Sequence, residues 1–360
     1  MAKISLPGRL SIMSFLPVMV MTAQLAVAQT TSMPNLILVD SLVLIETSNQ
    51  FVGRLTGFIA SKRGNYYLTD ASSYTVLEYT RTGRLARQFG ARGQGPGELT
   101  SPTDLGLIGD TTLLVLDGLT LHAFDVWSGR SIWDRRLTKL SNDLSTSGED
   151  IIVTALDIRR QSSLVIFKAA SDSARMGGPF PAPYGRSAPI DGTFSRAIVG
   201  HLRQDTLITA FHASDYIYVG TPFGGRYDSL KVARRVRNGA PPEKIAAASR
   251  DLKVLQETAY ALSAPWAIAP LSGNRIAHVS GDQRLLKRRL AGKFFVSVVD
   301  RGTRRTCPDA PIPIDDDPPG YVAFLGDTLI VAHQEETTQQ VPHTVIRRYL
   351  IDTSKCRWIP

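Results

Sequence analysis

An all-β chain of six repeated sheets is what the sequence predicts, and three observations carry that expectation. Short apolar runs bounded by Gly, Asn, Asp and Ser turns recur along residues 64–360. Units start at Gly64, Asp110, Asp150, Asp205, Asn274 and Asp327, a period of about 40 to 55 residues broken only between the fourth and fifth. Runs such as Leu113-Leu114-Val115-Leu116 are continuous, which fits strands covered on both faces. Sheets stacked in this way must close into a ring, because an open end would expose an apolar face and a strand edge. The expected fold is therefore all-β, a six-bladed β-propeller with one helix inserted between blades four and five. A solenoid would show shorter units, and an immunoglobulin-like tandem longer ones with unlike strands.

Residues 1–28 read as a secretory signal, and residues 29–360 as a single propeller domain. Lys3 and Arg9 form the positive start, Leu10 to Ala23 an apolar run interrupted by Pro17, and Ala26-Val27-Ala28 a small-x-small cleavage site. The mature chain is expected to start at Gln29. No cysteine follows the cleavage site, which argues against a lipid anchor, and no later stretch reaches the ~18 apolar residues of a membrane helix. The expected location is secreted or periplasmic, and the protein is not expected to span a membrane.

Two apolar runs, Leu36 to Val39 and Leu42 to Ile45, precede the first full unit. One of them is expected to close the ring on the sixth blade, beside Val345 to Leu350 and Cys356 to Ile359. Blade one reads as Tyr66 to Asp70, Val76 to Tyr79, a turn at Arg81-Thr82-Gly83-Arg84 and an outer strand ending at Phe89. Blade two repeats the order with Thr112 to Asp117, Leu121 to Asp125 and the turn Ser128-Gly129-Arg130. The long interval before blade five holds Pro241-Pro242-Glu243-Lys244, a helix start. Ile245, Ala248, Leu252, Leu255, Ala259 and Leu262 follow on one face, and Pro265 is the expected stop. This insertion, about 240–264, has an apolar stripe to bury as a rim filler, a partial lid or a docking helix.

Between blades one and two lies Phe89-Gly90-Ala91-Arg92-Gly93-Gln94-Gly95-Pro96-Gly97-Glu98-Leu99. This segment resembles the F-G-x-x-G-x-G-P-G-E signature of secreted bacterial six-bladed propellers related to NHL repeats. The resemblance implies the fold and an address outside the cytoplasm. The glycines are read as permitting positive φ where the chain crosses to the next blade. A phosphate loop would need a helix opening directly behind it, whereas Pro96 removes a donor and Ser101-Pro102 opposes a helix.

The sequence has 41 Lys and Arg against 32 Asp and Glu; without Lys3 and Arg9 the balance is 39 to 32, a formal +7. The basic residues are dispersed over strand ends and turns, as at Arg304-Arg305 and Arg347-Arg348, without the basic stripe and stacking platform of a nucleic-acid binder. Nucleic acid is therefore not an expected partner. Cys307 and Cys356 are the only cysteines, each entering an outer strand of neighbouring blades. An oxidising compartment permits a disulfide between them if their Cα atoms come within about 4.4–6.8 Å. Neither has a second ligand at metal-site spacing.

No Ser-His-Asp order, HExxH, CxxC or Walker pattern is present. What remains is positional. Asp70, Asp117 and Asp157 end the second strands of blades one to three, and His212, His278 and His333 stand near that place in blades four to six. These six are the candidate ligand-binding residues. Some NHL-type propellers of the amidating-lyase family hold a metal with histidines from different blades, and the resemblance raises that option, although His122 after Asp117 is the only faint echo of their motifs. The register opposes it: His212 lies seven residues after Asp205, His333 six after Asp327 and His278 four after Asn274. At ~3.3 Å per residue the drift is several Å, against zinc–nitrogen bonds near 2.0–2.1 Å. No cofactor is expected, the alternative being a divalent metal such as zinc or calcium. Asp315-Asp316-Asp317 reads as a solvated turn, since calcium needs ligands spaced through a loop.

Two functions stand. The first is a non-enzymatic binding or scaffolding module of the cell envelope, a monomer holding an envelope protein, peptide or glycan at the channel face. The second is a metal-dependent lyase or hydrolase using His212, His278 and His333. Propellers host both kinds of function.

Overall fold

The computed structural model describes residues 33–47, 50–139, 141–157, 161–171, 173–180, 197–203, 205–212, 214–233, 247, 251, 253–254, 257, 263–286, 289–314, 320–335 and 343–360. The expected signal, Asp315-Asp316-Asp317 and most of the expected helix lie outside them.

Six four-stranded antiparallel sheets form the ring. Blades one to five are continuous in sequence, running from Leu55 to Phe89, Pro102 to Arg136, Leu144 to Gly177, Ala197 to Lys231 and Ser263 to Pro311. Within each, the strands pair in chain order, the first lying innermost. Blade six takes three strands from Tyr321 to Asp352 and its outermost strand, Asn35–Val43, from the start of the propeller. This strand takes in the first apolar run and the start of the second, Leu42 and Val43, with a register shift between Leu38 and Asp40. The chain then crosses to blade one, where Ile45 N–H donates to the Gly83 carbonyl at 2.7 Å. Glu46 locks the junction. Its carboxylate accepts from Val52 N–H and Thr344 N–H, each at 2.8 Å.

Continuous apolar runs produce this packing because both faces of a blade are covered. Leu113, Leu114, Val115 and Leu116 are all fully buried, alternate residues facing blades one and three. Each such side chain contributes roughly 1.5–3 kcal/mol by burial. Carboxylates on the inner strands add ring staples: Leu144 N–H donates to Asp104 Oδ2 at 2.7 Å, and Val199 N–H to Asp143 Oδ2 at 2.6 Å.

Two expectations change in detail. The C-terminal segment does not extend blade six: Thr306 and Ile359 pair, so the tail lies on the outer strand of blade five, Arg305–Pro311. Cys307 and Cys356 are joined there, their Cα atoms 5.5 Å apart. In the signature loop only Gly90 and Gly97 have positive φ. At Gly93 a Cβ would stand 1.9 Å from the Glu98 carboxylate, which accepts from Gly95 N–H at 2.7 Å, so a larger residue would displace the Glu98 side chain from that bond.

The inserted helix is not among the described elements. Ala247, Lys253, Val254 and Glu257 have helical backbone, but Asp251 between them does not. Its Oδ1 accepts from Lys253 N–H at 2.8 Å, and the rest of the expected helix, 241–262, lies outside the described residues. Pro265 is inside the innermost strand of blade five, Ser263–Leu271, at a register shift that absorbs its missing donor.

Candidate functional site

The aspartates at the second-strand ends serve the turns beside them. Asp70 is buried, and its Oδ1 accepts from Arg54 N–H at 2.8 Å and Ser72 N–H at 2.9 Å. Asp117 repeats this one blade on, accepting from Thr100 N–H at 2.7 Å and Ser101 N–H at 2.5 Å. Each carboxylate ties the strand entering its own blade to the end of the second strand. Asp157 differs, lying 3.8 Å from Lys139 Nζ.

Blade two builds more on this base. His122 stands opposite Asp134 in register, and its Nδ1 is 2.7 Å from Asp134 Oδ1 while its Nε2 is 3.6 Å from Asp117 Oδ2. Asp134 Oδ2 also accepts from Gly97 N–H at 3.0 Å. The imidazole therefore bridges two carboxylates that together hold both ends of the Gly97–Ser101 stretch. Burial pulls the His122 pKa down, but hydrogen bonds and charge from Asp117 and Asp134 outweigh it and leave it raised. Burial would raise the Asp117 carboxyl, and the imidazole with the Thr100 and Ser101 amides brings it below its ordinary value.

The three remaining histidines are not brought together. His212 follows the strand Thr206–Phe211 and is buried. His278 is fully buried at mid-strand, opposite Ile268 and Ser297. His333 lies inside the second strand of blade six with Nε2 3.0 Å from Glu335 Oε1, which also pairs with Arg347. Among the described residues no group of three or more His, Cys, Asp or Glu is placed to hold a metal.

A cavity of about 1050 Å³ opens between blades three and four, on the face that carries the turns between first and second strands. Its apolar wall is Ile152, Ile166, Phe167, Leu207 and Phe223; its polar groups include His201, Lys168, Arg175, Arg203, Asp150 and Asp205. Beside it the two blades pack through apolar side chains. Their shared apolar cluster is Ile152, Leu164, Ile166, Val199 and Leu207, smaller than the other clusters between described blades. Blades one, two, five and six end their innermost strands on apolar pairs such as Leu107-Ile108, whereas blade four ends His201-Leu202-Arg203.

The outer wall is a turn of blade four laid onto blade three. Gly178 N–H donates to the Pro222 carbonyl at 2.9 Å, and Arg175 stacks over the Phe223 ring at 3.6 Å. Gly177 makes this approach possible, since a Cβ there would come within 2.3 Å of the Pro222 oxygen. On the inner wall, neither ring nitrogen of His201 makes a hydrogen bond of ordinary geometry. Burial pushes its pKa down to about 4 against the opposing pull of Asp150 and the Arg203 backbone, so the ring is neutral at pH 7.

No protein-family model and no curated protein matches the chain. Its fold is similar to solved structures. A DUF4221 family member from Bacteroides vulgatus aligns with TM-score 0.60 at 11% identity, covering 89% of this chain and 99% of that one. A Bacteroides fragilis protein whose name marks it as exported gives 0.59 at 11%, covering 89% and 96%. Catalytically inactive virginiamycin B lyase from Staphylococcus aureus, with quinupristin, gives 0.51 at 13%, covering 88% and 90%. At these identities the likeness is one of fold. Among the described residues no helix is long and apolar enough to cross a membrane.

Proposed function

We propose that the chain is an exported binding propeller of the NHL-like type, delivered by the signal at residues 1–28, whose ligand sits between blades three and four. The observation that carries this reading is the preformed cavity of about 1050 Å³, sized for a small organic molecule and lined by an apolar wall with a few polar groups. The strand-end carboxylates Asp70 and Asp117, by contrast, are occupied by backbone amides. That favours the cavity over the channel face as the place of binding. The reading requires no cofactor and no catalytic step.

The test is a thermal-shift screen of small organic ligands on the mature protein and on Thr221→Trp, which places a large ring at the exposed cavity mouth. A ligand bound only to the folded state raises the transition by mass action. Binding in the cavity predicts compounds that stabilise the wild type and leave Thr221→Trp unmoved. Compounds that stabilise both alike, or that lose effect in Asp157→Asn or His212→Ala instead, return the site to the channel face.

A further inference from the structure

The cavity wall divides by chemistry, and the division selects a ligand class; this step rests on the binding reading above. Five apolar side chains, Ile152, Ile166, Phe167, Leu207 and Phe223, form one part of the lining. Three cations, Lys168, Arg175 and Arg203, face two carboxylates, Asp150 and Asp205. Among the described residues none of these three cations is in an ion pair. Arg175 is engaged through its face on Phe223, which leaves the in-plane N–H groups of a guanidinium available for a planar anion. All three are exposed, so water screens them until a ligand covers them.

His201 adds a neutral polar group to the same wall. A neutral imidazole offers one donor and one acceptor, and neither of its nitrogens is satisfied by ordinary hydrogen bonds within the protein. An uncharged apolar ligand would cover the wall but leave the cations uncompensated. A cation would meet the excess of positive charge, and a polyol would leave five apolar side chains without a partner. The geometry points to an organic anion with an apolar body, a carboxylate or sulfonate on an aliphatic or aromatic skeleton, as the ligand of this cavity.

The probes are 1-anilinonaphthalene-8-sulfonate and its uncharged relative N-phenyl-1-naphthylamine, titrated by fluorescence against the mature protein. Wild type, Arg203→Met, Lys168→Met and Thr221→Trp are compared, each checked for a wild-type circular dichroism spectrum. The expected result is one sulfonate site per chain, displaced by decanoate and not by decanol, and lost in Thr221→Trp. Arg203→Met and Lys168→Met each weaken the sulfonate about tenfold or more, as loss of a charge-assisted contact does, and leave the uncharged probe within about twofold. If both probes bind, both are blocked by Thr221→Trp and neither responds to the cation variants, the cavity binds but the anion assignment falls. If Thr221→Trp changes neither probe, the cavity reading falls with it.

Discussion

Replacing His122 by Leu removes the centre of the blade-two clasp and strands two carboxylates. His122 and Asp117 are each 4% exposed, and the side chain of Asp134 is 26% exposed. Deleting one partner of a buried charged cluster typically costs about 3–5 kcal/mol, because the remaining charges lose their compensation. At roughly 2 °C per kcal/mol for a chain of this size, the transition should fall by about 6–10 °C. The pH dependence carries a sign that generic destabilisation lacks. The raised His122 pKa contributes stability that is complete below the ordinary value of ~6.5 and fades as pH rises through the folded-state value. The lowered Asp117 pKa contributes stability present above ~3.9 and lost as pH falls through its folded value. The gap between wild type and His122→Leu should therefore be widest between about pH 4.5 and 6.5 and narrow on either side. Differential scanning fluorimetry from pH 3.5 to 9 reads it directly, and imidazole proton shifts give the His122 titration. A loss under 2 °C, a gap that does not vary with pH, or a His122 midpoint below 6.5 would refute the clasp.

Further outcomes follow from other parts of the ring. Reducing the Cys307–Cys356 bond opens a closure spanning 49 positions. In the chain-entropy account that costs about 4 kcal/mol, so a Cys307→Ala/Cys356→Ala double variant should melt roughly 8 °C lower and match the reduced wild type. Gly177→Ala forces the Pro222 turn off blade three, and hydrogen exchange at Gly178 N–H should accelerate while the blade-one amides stay protected. Elemental analysis of untagged protein should find far less than one metal per chain. A stoichiometric zinc lost in His212→Ala and His333→Ala would restore the lyase reading.

Much of the fold was legible because a propeller blade writes a local signature. Continuous runs such as Leu113 to Leu116 demand cover on both faces, and the turn residues at Asp110 or Asp327 mark each restart. The ring closure was legible only in part. Leu36–Val39 and Leu42–Ile45 read as two strands because Asp40 and Ser41 interrupt the apolar run, yet a register shift lets one strand continue through them to Val43 before Ile45 crosses to blade one. In the signature loop, Gly93 has no positive φ and instead lies against the folded-back side chain of Glu98.

The site was far less legible. The aspartates at 70 and 117 were found by their position, but their partners, the amides of Arg54, Thr100 and Ser101, belong to a different strand entry. His122 and Asp134 meet only because the third and fourth strands of blade two pair in one register, which sequence spacing does not fix. The cavity is lined by residues of two blades, a property of pairs of surfaces. Its one sequence trace is the polar ending of the innermost strands of blades three and four, Thr146-Ser147 and His201-Leu202-Arg203, where those of the other blades end apolar.

The most direct test of the central claim is hydrogen exchange on the mature protein with and without saturating 1-anilinonaphthalene-8-sulfonate. Binding between blades three and four predicts slowed exchange in peptides covering 150–152, 166–175, 201–207 and 221–224, the segments that line the cavity. Protection confined to the strand ends around Asp70, Asp117 and His212, with those segments unchanged, would contradict it.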